Sequence, residues 1–212
     1  MMQLADLRRE YSQTGIRKNE LASCPFEQFQ AWFTQAEQAE LVDPTAMVIG
    51  TVDDQGHPEQ RIVLLKGCDT NGLVFYTNYN SDKGRQLAAN PIASILFPWN
   101  ALNRQIRIVG KVEKTSYEQS VNYIQSRPRG SQLAALASNQ SAPVESREAL
   151  DAQMSAVEAQ CEGIDPPVPD NWGGFCLKPQ RWEFWQGREA RLHDRIIYQP
   201  SADGWEKSRL QP

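Results

Sequence analysis

Residues 45–78 read TAMVIGTVDDQGHPEQRIVLLKGCDTNGLVFYTN. Three apolar runs, TAMVIGTV, QRIVLLKGC and LVFYTN, are rich in β-branched and aromatic residues, which suit a pleated, half-buried surface. Between them stand DDQGHP and DTNG, where Asp, Asn, Gly and Pro supply tight-turn conformations. The stretch reads as three antiparallel strands joined by hairpin turns. Further strands follow in IASILFPW, RQIRIVGKVEK, WGGFCLKPQRWEFWQG and RLHDRIIYQP, and WEKSRL closes the chain. Helices interrupt them. CPFEQFQAWFTQAEQAEL places Phe26, Phe29, Trp32, Phe33 and Ala36 at helical spacing and should stop before Asp43 and Pro44. SDKGRQLAAN, SYEQSVNYIQS and VESREALDAQMSAVEAQCEG also read as helical, and IDPPVPDN as a rigid connection. The β-elements do not alternate with helices as βαβ units, and no GxGxxG follows a first strand. The expected class is mainly β with α additions, an antiparallel β-barrel rather than a Rossmann sheet.

With 212 residues, a formal net charge of −4 and a pI near 5.3, the chain can bury a substantial core as one domain. An acidic balance argues against general nucleic-acid binding, so any bound anion must be held by a local cationic cluster. The start, MMQLADLRRE, has no apolar signal-peptide core, and no run approaches membrane-spanning length; the expectation is a cytoplasmic protein without a membrane partner. Cys24, Cys68, Cys161 and Cys176 form no CxxC pair, and with two histidines, His57 and His193, no metal site is expected.

Four constellations carry possible chemistry. Arg61 and Lys66 bracket the apolar run Ile62, Val63, Leu64 and Leu65, read as a buried strand. Five positions apart, the two cations would face opposite ways on a regular strand, so a shared ligand requires the strand to bend or the ligand to wrap its edge. In FYTNYNSDKGRQL, a helix starting near Ser81 with Lys83 and Arg85 could cradle a phosphate, or could simply be a capped helix. In YIQSRPRGSQ, Tyr123, Arg127 and Ser131 recur every four residues and offer hydroxyls and a guanidinium. Pro128 breaks the helix, placing Ser131 beyond its end. In RWEFWQGREARLHDR, Arg191, His193 and Arg195 alternate as on one strand face, with Asp194 among their partners. The flanking cations would hold His193 near neutral and suit a planar anionic ligand. No nucleophilic elbow is evident, so a cofactor that brings its own reactivity fits best.

RIVLLK, VFYTNYNSDKGRQL, LFPW, RQIRIVGKVEK, YIQSRPRGSQLAALASNQS, WGGF and EFWQGREARLHDR stand in the order found in the pyridoxine (pyridoxamine) 5'-phosphate oxidase family, which this chain resembles from about residue 5 to its end. The resemblance implies an FMN-binding split barrel over residues 25–212, after a mobile segment over residues 1–24. It implies a homodimer with two FMN sites at the subunit interface. It also implies oxidation of pyridoxine 5'-phosphate or pyridoxamine 5'-phosphate to pyridoxal 5'-phosphate, with hydride passing to the flavin and O2 reduced to H2O2. Arg61, Ile62, Val63, Leu64, Leu65 and Lys66 would line the FMN, with Tyr76 and Thr77. Ser81, Asp82 and Lys83 would lie at its phosphate. Gln105, Gln140, Ser141, Trp185 and Arg195 would complete the flavin site. Lys66, Tyr123, Arg127 and Ser131 would hold the substrate phosphate. Arg191 and His193 would orient its ring for catalysis, and Arg8 and Tyr11 would cover it. The family usually has Arg where Asp82 stands, so weaker FMN binding is expected, and Asp82→Arg should tighten it. A non-catalytic FMN-binding protein or a flavin reductase of the same fold is the alternative; the substrate-phosphate set distinguishes the oxidase.

Overall fold

A computed structural model describes Tyr11 and residues 15–212 of the chain. Arg8, and most of the N-terminal segment expected to be mobile, lie outside the described residues.

Helix α1 (Pro25–Gln38) follows the expected periodicity, with Phe29, Trp32 and Ala36 buried. The expected hairpins give β1 (Ala46–Val52), β2 (Pro58–Leu64), β3 (Gly67–Asp69) and β4 (Gly72–Asn78). Their turns are built as the sequence requires: Asp53 Oδ1 accepts from the backbone of Gln55 and His57, and Asp69 Oδ1 from that of Asn71. Then come α2 (Asp82–Ala89), β5 (Ile92–Trp99), β6 (Arg104–Lys114), α3 (Tyr117–Ser126), α4 (Arg129–Ala137), α5 (Arg147–Gln160), β7 (Trp172–Gln186), β8 (Asp194–Ser201) and β9 (Gly204–Leu210). The strands form a nine-stranded sheet in the order β2-β1-β5-β6-β7-β4-β3, with β8 paired to β7 and β9 to β8.

The chain packs as two compact units. The first comprises Ser94–Gly110, Pro179–Pro212 and the described part of Met1–Ile49. Its core is aromatic: Phe29 lies 5.1 Å from Phe97 and 5.8 Å from Trp182, and Trp32 meets Phe184 edge-on at 5.3 Å. The second comprises Gly50–Ala93 and Lys111–Lys178. In it β4 pairs antiparallel with β7, setting Tyr76 opposite Gly174 and Asn78 opposite Trp172.

Three expectations are corrected. QRIVLLKGC is not one strand: it breaks at Leu65 and Lys66, where the Lys66 N–H turns to the Val74 carbonyl at 2.8 Å. Nor are its apolar residues all buried. Leu65 is, but Ile62 and Leu64 are 70% and 42% exposed, because they border an open cavity rather than the core. Finally, Arg191 and His193 precede β8. Ala190 and Arg191 take left-handed backbone conformations (φ 52° and 62°) in a short 3₁₀ turn, so the strand alternation does not extend to them.

Candidate active site

A cavity of about 590 Å³ lies in the second unit, lined from β2, β4, α2, α3, α4 and the loop after α4. The break after β2 resolves the Arg61 and Lys66 question: both reach this cavity, because the chain bends between them. Ile62, Val63 and Leu64 line it as well, whereas Leu65 packs inward.

One end is organised by the start of α2. The Ser81 side chain caps the helix by accepting from the Gly84 N–H at 3.3 Å. Lys83, buried in the first turn, donates to Thr77 Oγ1 at 3.2 Å, Ser81 Oγ at 3.3 Å and Gln140 Oε1 at 3.2 Å. Burial pushes its ammonium pKa down and Arg61 adds to the shift, with Asp82 partly opposing. This cation has neutral oxygens around it and would gain from an anion. Asp82 itself turns away to Arg85, 2.5 Å apart on the exposed start of α2, and its N–H donates to Ser141 Oγ at 3.2 Å. Asp82 and Ser141 are not among the cavity's lining residues.

The other end is an aromatic and cationic wall. Tyr76 stacks on Tyr123 at 3.8 Å, and Trp172 lies parallel to both, 5.6 Å from Tyr76 and 6.0 Å from Tyr123. Burial raises the pKa of both phenols, keeping them protonated donors at neutral pH. Arg127 ends α3 and spreads over Trp172 at 5.1 Å; its buried Nη1 has no hydrogen-bond partner. Pro128 does break the helix, as expected. A new helix, α4, then starts at Arg129 and carries Ser131 in its first turn, back to the same cavity as Tyr123 and Arg127. Arg61, Lys66, Lys83 and Arg127 thus converge on the cavity, and no carboxylate is among its described lining residues. The donor set suits a phosphorylated ligand with a flat ring.

Gln105, Trp185, Arg191, His193 and Arg195 lie in the first unit. Gln105 is half-buried on β6. Trp185 and His193 rings are 4.7 Å apart, and Tyr11 meets them edge-on at 5.9 and 5.3 Å, with the Arg191 guanidinium 5.8 Å from the Tyr11 ring. The Arg188 N–H donates to His193 Nδ1 at 3.0 Å, so the neutral ring carries its proton on Nε2. His193 is held below its ordinary pKa by burial first and by Arg191 second. Arg195 does not share that role: its Nε donates to buried Glu183 at 2.8 Å, and that bond raises its pKa. Asp194 is also not a partner of Arg191 or Arg195; it pairs with Arg188 and Arg209.

Sequence reasoning missed Trp172, Asn78 and Ser138 as cavity residues. Trp172 had a signal, an aromatic residue before Gly173–Gly174 at the end of a proline-rich connection. The Glu183 cluster had none, since its arginines come from positions 107, 181 and 195.

Residues 33–161 match the family model described as pyridoxamine 5'-phosphate oxidase, and residues 172–212 match the pyridoxine 5'-phosphate oxidase C-terminal dimerisation region. The chain is 50% identical, over all of both chains, to the pyridoxine/pyridoxamine 5'-phosphate oxidase of Herminiimonas arsenicoxydans. It is 51% identical, again over all of both chains, to that of Burkholderia lata strain 383. Among solved structures, PhzG from Burkholderia lata 383, in complex with tetrahydrophenazine-1-carboxylic acid, superposes with a TM-score of 0.86 at 29% identity, covering 92% of this chain and 95% of its own. A pyridoxamine 5'-phosphate oxidase-related, FMN binding protein from Nostoc punctiforme shares the fold, with a TM-score of 0.73 at 19% identity over 91% of this chain and all of its own. The fold is the split β-barrel of these proteins, and the chain belongs to the pyridoxamine 5'-phosphate oxidase family.

Proposed function

We propose that this protein is an FMN-dependent oxidase that converts pyridoxine 5'-phosphate or pyridoxamine 5'-phosphate to pyridoxal 5'-phosphate, working as a homodimer. The observation that carries the reading is a cavity lined by two sets of cations and donors, which we assign as two phosphate grips. One is Lys83 with Thr77 and Gln140; the other is Lys66, Tyr123, Arg127 and Ser131. A protein that only stores FMN needs the first and has no use for the second.

FMN fits the residues present. Lys83 is a buried cation with neutral partners, the strand run from Arg61 to Leu64 offers a flat wall, and the cavity has room. When bound, FMN supplies the two-electron acceptor, and O2 takes the electrons on to H2O2, with water replacing ammonia when the substrate is the amine. The protein's own task is then placement and charge. Lys83 holds the FMN phosphate, and Gln105, Trp185 and Arg195 are assigned to the flavin, with Ser141 at its rim. Lys66, Tyr123, Arg127 and Ser131, which line one end of the cavity, bind the substrate phosphate. His193, through its Nε2–H, is assigned to the oxygen on the pyridine ring and Arg191 to the charge there, each site of the homodimer drawing on both chains. Such positioning is worth several orders of magnitude in rate. Arg8 and Tyr11 are assigned to cover the ring.

A second reading, an oxidase of an unphosphorylated carboxylic acid, is favoured by the overlap with PhzG. Two relatives from the same Burkholderia strain weigh against it: identity is 51% to the oxidase and 29% to PhzG. The test is turnover of each phosphorylated substrate by FMN-loaded protein in air, with tetrahydrophenazine-1-carboxylic acid as the competing substrate. Flavin-loaded protein that forms no pyridoxal 5'-phosphate would overturn the proposal.

A further inference from the structure

The side chain after His193 makes a clamp that the reading above does not use. Asp194 is buried, and its Oδ2 accepts from the Ile16 N–H at 2.9 Å. Its Oδ1 pairs with Arg209, whose other nitrogen donates to the Ile16 carbonyl at 2.8 Å. Both backbone polar groups of one residue, nearly the whole chain away in sequence, are thus held by one ion pair. Arg188 lies 3.6 Å from the same carboxylate and, through its N–H, fixes His193 Nδ1. The approach depends on Gly15: a Cβ there would collide with Asp194 Oδ2 and the Arg188 guanidinium.

Five residues before Ile16 stands Tyr11, edge-on to Trp185 and His193, its ring seated over Gly187, where a Cβ would come within 2.6 Å of it. A charged pair that grips Ile16 therefore limits where Tyr11 can stand. We propose that Asp194 and Arg209 are positioning residues: they clamp the Ile16 backbone so that Tyr11 stands against His193 and walls the site for the substrate's pyridine ring. This rests on the oxidase reading above. The clamp reads only backbone, so it tolerates side-chain change at position 16 but not at position 15.

The test uses FMN-loaded full-length protein carrying Arg209→Gln, with Gly15→Ala as an independent lesion of the same clamp. Arg209 is half-exposed, and in its absence Arg188 stays beside the buried Asp194 carboxylate to offset its charge. The expected result is a KM for pyridoxine 5'-phosphate raised about tenfold, as for loss of a charge-assisted hydrogen bond. The Kd for pyridoxal 5'-phosphate, read by fluorescence titration, should rise in parallel, with FMN affinity unchanged. Arg209→Lys keeps the ion pair but lacks the planar fork and should fall between. In a Tyr11→Ala background, Arg209→Gln should add less than about twofold, since the clamp acts through Tyr11. An active wild type with unchanged KM in both Arg209→Gln and Gly15→Ala overturns the clamp. So does a full tenfold effect in the Tyr11→Ala background. A wild type that holds flavin yet forms no pyridoxal 5'-phosphate fails earlier, and refutes the oxidase reading instead.

Discussion

Replacing Lys83 with methionine removes a charge and keeps nearly the same length of side chain. In the wild type that charge is buried and bonded to three neutral oxygens at 3.2–3.3 Å. Two consequences follow, of opposite sign. Toward FMN, the variant loses a charge-assisted contact to phosphate. Such a contact is worth about 1.5–3 kcal/mol, which raises Kd about 10- to 150-fold. Toward the apo-protein, the variant relieves a cost. The folded-state pKa of Lys83 lies below its ordinary 10.5, because burial and Arg61 disfavour the charged form. Between those two pKa values the unfolded chain binds more protons, so this group's contribution to stability rises with pH and is at its worst near neutrality. Lys83→Met should therefore stabilise the apo-protein most at neutral pH, with its advantage shrinking as pH approaches 10.5. The Thr77 to Gln140 hydrogen bond, 3.1 Å, survives the change and limits the polar loss. Flavin fluorescence quenching gives the Kd, and urea melts of the apo-protein at pH 7 and pH 9.5 give the stability. An FMN Kd within twofold of wild type would refute Lys83 as the phosphate ligand. A variant advantage that grows with pH would refute the electrostatic account.

Other predictions follow from the same geometry. Arg191→Ala should lower turnover strongly while FMN stays bound; a wild-type kcat/KM would remove Arg191 from the substrate site. His193 must be neutral to keep the Arg188 N–H bond, so the acid limb of kcat/KM should lie below its ordinary 6.5 and move upward in Arg191→Ala; a limb that stays put would separate the two residues. Asp82→Arg should tighten FMN by less than about threefold, because the charge removed is already offset by Arg85 on an exposed surface; a tenfold gain in fluorescence titration would place Asp82 against the phosphate after all. Glu183→Gln leaves the Arg107, Arg181 and Arg195 guanidiniums without their shared carboxylate and should cost about 1–3 kcal/mol in chemical denaturation; no loss would mean that solvent already screens the cluster.

What was legible in the sequence was local. The turns at Asp53 and Asp69, the Ser81 cap and the aromatic face of α1 are each set by a few neighbouring residues, and their chemistry stands in the sequence. The chain break at Leu65–Lys66 was not legible, since it follows from the Lys66 N–H finding a partner on β4. The conformation of Arg191 departs from a strand for a similar reason. Alternation of residues suggests a strand, but only the tertiary setting holds Ala190 and Arg191 at positive φ. Of the candidate site, the Tyr123, Arg127 and Ser131 spacing pointed to one cavity, although two helices rather than one deliver it there. Partners set by long-range folding, Glu183 for Arg195 and Arg209 for Asp194, have no signature in spacing.

The proposed oxidation is tested most directly by turnover. Protein saturated with FMN, given pyridoxine 5'-phosphate in air, should form pyridoxal 5'-phosphate over many turnovers, with one O2 consumed and one H2O2 formed per product. Protein that holds its flavin, binds the phosphorylated substrate and forms no pyridoxal 5'-phosphate would contradict it.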